Sequence, residues 1–208
     1  MGWPIFFIQP HLKKLVRFFL IYTVINDDDR YISNIIFLSL HIHKTKIYMD
    51  IIKIKASIRV HKDEHTLDSK DKELLEYAIK QLDVAYAPYS QFRVGAAVRM
   101  EDDSMYPGCN QENASYPLCM CGERVALYNA AAQAPHLKPV TLAIVIRNEK
   151  KPINTPVSPC GACRQVIAEF EQRFKQDIRI FLKSDASEIY ELRSVKDILP
   201  LTFDSSFL

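Results

Sequence analysis

Two short stretches of this sequence hold residues that could do chemistry. They are Cys121-Gly122-Glu123 and Pro159-Cys160-Gly161-Ala162-Cys163. Two cysteines three apart at a helix start put their thiolates one turn apart, where free backbone N–H groups favour negative charge. Cys121 opens a second expected helix. Three protein ligands leave one tetrahedral position for a water, which is the arrangement of a catalytic zinc. Glu123 lies two residues from a ligand, within reach of that water, and suits a group that accepts and donates protons in turn. Cys-x-x-Cys alone is a weak sign. Preceded by Pro159 and joined to Cys-x-Glu one crossover earlier, it is a strong one. A doubly charged ion with three thiolates keeps one net negative charge. Arg124 and Arg164, each directly after one of the two stretches, are therefore expected to donate hydrogen bonds to sulfur and offset it. Cys119 opens a second reading, a closed four-sulfur structural site with Cys121, Cys160 and Cys163 and no catalytic role. Cys109 reads as a small buried residue, and His136, between two prolines, as a surface one.

The elements that must position these residues follow from periodicity. Apolar residues at helical spacing predict a helix over 71–86, stopped by Pro88. A β-rich run at 92–100, an acidic turn and a return to Cys109 predict a hairpin. Alanine and leucine predict a helix over 123–134. "VTLAIVIR" at 140–147 reads as a buried strand, 160–174 as a helix and 177–182 as a strand. Residues 189–192 form a further candidate strand, and Ser194 a cap for a last short helix. Strands alternating with helices imply an α/β domain of three layers, α/β/α, with a mixed sheet of about five strands.

Composition divides the chain. All 208 residues together carry a net charge of +2, which gives no electrostatic case for nucleic acid. Residues 1–67 hold 10 Lys and Arg against 6 Asp and Glu, whereas 68–208 hold 17 against 19. Five of six histidines lie in the first part and all five cysteines in the second. A boundary is expected near "HKDEHTLDSKDK" at 61–72, with the domain at 68–208. The extension 1–67 is open to three readings: a stretch with no fold of its own, a targeting or membrane-surface segment, or a structured addition. Its apolar run at 5–25 is broken by Lys13, Lys14 and Arg17, which argues against a membrane span. The stretch 18–25 has the character of a signal-peptide core but lacks a small-residue cleavage site. Met49 is an alternative start. Thiols kept for metal or catalysis indicate a reducing, cytoplasmic setting.

"VAYAPYSQFRVGAAV", "GCNQENASYPLCMCGERVAL" and "SPCGACRQVI" resemble the short, homotetrameric zinc cytidine deaminases, over roughly 68–203. The resemblance implies one zinc per subunit on Cys121, Cys160 and Cys163, with Glu123 as proton shuttle. It implies Asn110 and Glu112 on the ribose hydroxyls and Phe92 stacked near the base. Ala114 and Tyr116 would complete a sugar pocket, and Phe203 would close a neighbouring subunit's pocket. Gln111 stands where similar proteins often carry an aliphatic residue. The implied reaction turns cytidine and deoxycytidine into uridine and deoxyuridine with release of ammonia, in pyrimidine salvage. The rivals are a polynucleotide cytosine deaminase and a nucleoside-antibiotic deaminase. A strand-binding enzyme must attract phosphates, and the acidic balance of 68–208 does not.

Overall fold

The computed structural model describes residues 50–208, and the readings made for 1–49, including the apolar stretch 18–25, lie outside them. Six strands form one mixed sheet: β1 (Arg59–His61), β2 (Phe92–Met100), β3 (Met105–Cys109), β4 (Pro139–Asn148), β5 (Arg179–Lys183) and β6 (Ile189–Leu192). Their order is β1-β6-β5-β4-β2-β3, with β4 and β5 parallel and every other pair antiparallel. Three helices flank the sheet: α1 (Ser69–Lys80), α2 (Gly122–Gln133) and α3 (Gly161–Phe174).

Strand alternation sorts the core into two faces. Val94, Ala96 and Val98 of β2, with Leu142, Ile144 and Ile146 of β4, pack with Leu127 of α2 and Ile167 of α3. Ala97, Ala143, Val145 and Phe181 point the other way, onto Leu74, Leu75 and Ala78 of α1. The α/β/α layers are those expected. The sixth strand is β1, which pairs with β6 through Val60 and Tyr190 and lies before residue 68. Glu191 fixes it there: buried, it bonds Arg59 at 2.9 Å and His61 at 2.7 Å. The compact unit begins at Ile52.

Asp68 caps α1 by accepting from Asp71 N. The helix ends earlier than its apolar pattern suggests. Tyr86 leaves it because Tyr86 N donates to Asn110 O while Glu112 N donates to Tyr86 O. This bridge recruits the segment after α1 to the rim of the site.

Close backbone approach seats α2. A Cβ on Gly108 of β3 would lie 2.2 Å from Ala126 N, and one on Gly122 would lie 2.8 Å from Val94 O. Both contacts are to backbone, which cannot swing aside. Glu171 fastens the end of α3 in a similar way: its buried carboxylate accepts from Ile178 N, Val195 N and the Ser194 hydroxyl. Gly108→Ala is therefore expected to destabilise the protein by about 1–3 kcal/mol. Thermal unfolding followed by circular dichroism should show the midpoint falling by roughly 3–10 °C.

Candidate active site

The two helix starts converge. Cys121 is the N-cap of α2, Cys160 is the N-cap of α3, and Cys163 lies in the first turn of α3. Their three sulfurs lie within 4.8 Å of one another, and Cys160 and Cys163 are 3.3 Å apart as free thiols. Neither cap residue bonds its own helix through its side chain, so the sulfurs stay available. Arg124 turns back over Cys121, its Nη2 3.9 Å from Sγ and 3.3 Å from Cys119 O.

The electrostatics single out one thiol. Cys121 is pulled down to about 5, chiefly by the hydrogen bond from the Cys163 thiol and also by Arg124, against the effect of burial. Cys163 is pushed up by the same bond and by its burial. Glu123 is only 3% exposed, and burial, reinforced by the charge on Cys121, raises its carboxyl above the ordinary value. Its Oε2 is buried with no hydrogen-bond partner among the described residues. An orphaned buried oxygen costs about 1–3 kcal/mol. Beside three soft sulfur donors, it fits a site built to hold zinc and a water.

A cleft of about 350 Å³ is lined by Tyr89, Ser90, Glu112, Tyr116 and Cys119, the residue whose carbonyl accepts from Arg124. Glu112 Oε2 accepts from Tyr89 N at 2.9 Å and Ser90 N at 3.2 Å. Those bonds outweigh the opposing effect of burial and hold its carboxyl below the ordinary value. Tyr116 meets Tyr89 edge to face, with ring centres 6.1 Å apart. Cys119 stands apart from the cluster of three sulfurs: its Sγ pairs with the Asn113 backbone, accepting from Asn113 N at 3.3 Å.

The remaining candidates are placed differently. Asn110 is buried, and its amide serves β2, donating to Phe92 O and accepting from Val94 N, both at 2.9 Å. Phe92 packs at the edge of the core. Ala114 is exposed beyond the cleft lining. Phe203 is exposed and stacks on Phe207 at 5.9 Å, away from the cleft. Arg164 corrects an expectation: its guanidinium donates to Pro159 O and Ile198 O, and of the two arginines Arg124 is the one that reaches a thiol.

Residues 68–175 match the family model described as "Cytidine and deoxycytidylate deaminase zinc-binding region". The chain belongs to this family. A cytidine deaminase of Halalkalibacterium halodurans is 41% identical over 130 residues, 62% of this chain and 91% of the relative. One from Sporosarcina psychrophila is 39% identical over 137 residues, 66% and 93%. The crystal structure of the Burkholderia pseudomallei cytidine deaminase aligns with a TM-score of 0.54 at 37% identity, over 64% of this chain and 98% of that one. The chain is thus a zinc-dependent deaminase, a hydrolase.

Tyr89 and Ser90 also belong to the deaminase's cleft, and residue type does not single them out. Their contribution is two backbone N–H groups, which side-chain type does not announce; Pro88 just before them was the available signal of a turn. If the three sulfurs are the ligands, Cys121→Ser and Cys163→Ser lose zinc, whereas Cys119→Ser keeps one per chain. Metal analysis of the purified full-length variants checks this.

Proposed function

We propose that this deaminase converts cytidine and deoxycytidine to uridine and deoxyuridine with release of ammonia, within pyrimidine salvage. The observation that carries the reading is a buried, unpartnered carboxylate, Glu123, beside three clustered sulfurs. Cys121, Cys160 and Cys163 would hold zinc. When bound, zinc supplies Lewis acidity that makes an adjacent water acidic near neutral pH. Glu123 accepts a proton from that water and delivers it to ring N3, which leaves C4 open to attack. Once the water oxygen has bonded to C4, Glu123 carries the proton left on that oxygen to the exocyclic amine, and the C4–N bond breaks to release ammonia as the C4 carbonyl forms. One water is consumed for each ammonia released. A carboxyl raised by burial suits this double duty, because it must hold and give up a proton in one cycle. Arg124 offsets the charge gathered on sulfur.

Glu112 accepts from a ribose hydroxyl, and Asn110 holds the same loop against β2. Phe92 lies near the base, with Tyr116 and Ala114 bordering the sugar. An acidic group at the sugar repels a 3′-phosphate, which disfavours a polynucleotide substrate. The working form is a homotetramer in which subunits share pockets. This is supported by apolar side chains left open on the cleft rim and tail, where Tyr116 is 71% and Phe203 61% exposed. The setting is the cytoplasm, where thiol ligands stay reduced. Among the described residues no helix is long and apolar enough to cross a membrane.

Glu123→Ala is expected to keep its zinc while ammonia release from cytidine falls by about 10²–10⁴ or more. Ammonia release and metal content measured on one preparation test this. A wild-type enzyme that spares cytidine but deaminates a single-stranded cytosine oligonucleotide would contradict the substrate.

A further inference from the structure

Arg93 follows Phe92 on β2 and points to the α1 face of the sheet, away from the sulfurs. Its Nη1 donates to Ala85 O at 2.7 Å and to Leu82 O at 3.3 Å, carbonyls just past the end of α1. Its Nε donates to the Glu149 carboxylate. The main chain of Glu149 closes the loop from the other side, with Glu149 N donating to Gln91 O at 3.0 Å. Gln91 is held in the left-handed region at φ 58°, with its N bonded to Ala87 O. Residues 82–91 are therefore fastened at one end by the Arg93 guanidinium and at the other by the main chain of Glu149, and the side chains of Arg93 and Glu149 pair with each other.

What this loop holds is Glu112. Tyr86 O accepts from Glu112 N at 2.9 Å, and the N–H groups of Tyr89 and Ser90 bind Glu112 Oε2. Among the described residues no bond is made to Oε1, the oxygen left for a ligand in the cleft. We propose that Arg93, braced by Glu149, is a positioning residue that sets the Glu112 carboxylate for the sugar hydroxyls through residues 82–91. The inference rests on the reading of Glu112 given above.

Leu82 and Ala85 are buried, but Leu82 O also accepts from Ala85 N, and the Arg93 side chain is 28% exposed, so water can follow where the guanidinium is removed. Loss of Arg93 should therefore loosen the loop more than it unfolds the domain. The test is steady-state kinetics of the full-length holoenzyme with cytidine and with 2′,3′-dideoxycytidine, which lacks the 2′ and 3′ hydroxyls and keeps the 5′ one. For Arg93→Gln, KM for cytidine should rise about 10-fold, as for a weakened hydrogen bond to a charged group. Its kcat and zinc content should hold, and its KM for the dideoxy substrate should match the wild type. Arg93→Lys should recover part of the loss, because one donor can still reach Ala85 O. Arg93→Gln combined with Glu112→Gln should be no worse than Glu112→Gln alone. Glu149→Gln, at a more exposed position, should show the same substrate-dependent rise and serves if Arg93→Gln does not fold.

An equal rise for both substrates, or a fall in kcat with KM unchanged, would overturn the role of Arg93. If Glu112→Gln raises KM for cytidine but neither Arg93→Gln nor Glu149→Gln does, the positioning role fails while the function stands. If Glu112→Gln leaves KM unchanged, or the wild type does not act on cytidine, the inference falls with the reading beneath it.

Discussion

Crowding dominates this structure. Three sulfurs lie within 4.8 Å of one another beside a carboxylate that is almost wholly buried. Thiolates at such distances repel, and a buried carboxylate is costly without partners. Two helix starts oppose the repulsion with their N–H groups, and Arg124 adds a positive charge. What completes the balance is a cation, and sulfur donors choose zinc among the common ones. Much of the fold serves this convergence. Gly108 and Gly122 let α2 lie directly on β3 and β2, and the parallel pair of β4 and β5 returns the chain through α3 so that its start meets that of α2.

A second set of contacts holds the far edge of the sheet. Glu191 gathers Arg59 and His61 of β1, and Asp71 of α1 pairs with Arg179 of β5. Through them a strand from outside the family-matched residues becomes part of the sheet. Buried carboxylates at this edge have charged or polar partners, whereas Glu123 has an oxygen without one. That contrast sets a structural carboxylate apart from one reserved for chemistry.

Most of this was legible in the sequence because the signals were local. Cys121, Glu123, Cys160 and Cys163 carry their meaning in spacing, and the helices and strands around them follow from short-range periodicity. The misreadings share a different cause. The helix over 71–86 ends early because Tyr86 pairs with Asn110 and Glu112, more than twenty residues away. Adjacency places Arg164 near sulfur, but its side chain is drawn to Ile198 O, thirty-four residues on. Strand β1 is not legible because three residues of edge strand have almost no pattern of their own and depend on Glu191. The N–H groups of Tyr89 and Ser90 were hidden because backbone donors leave no mark in residue type.

The central claim is a zinc held by three sulfurs with one position open. X-ray absorption at the zinc edge of the purified full-length protein tests it most directly. The account predicts three sulfur neighbours at about 2.3 Å and one lighter oxygen neighbour at about 2.0 Å. Four sulfurs around the metal would show that Cys119 closes the site, and the catalytic reading would be wrong.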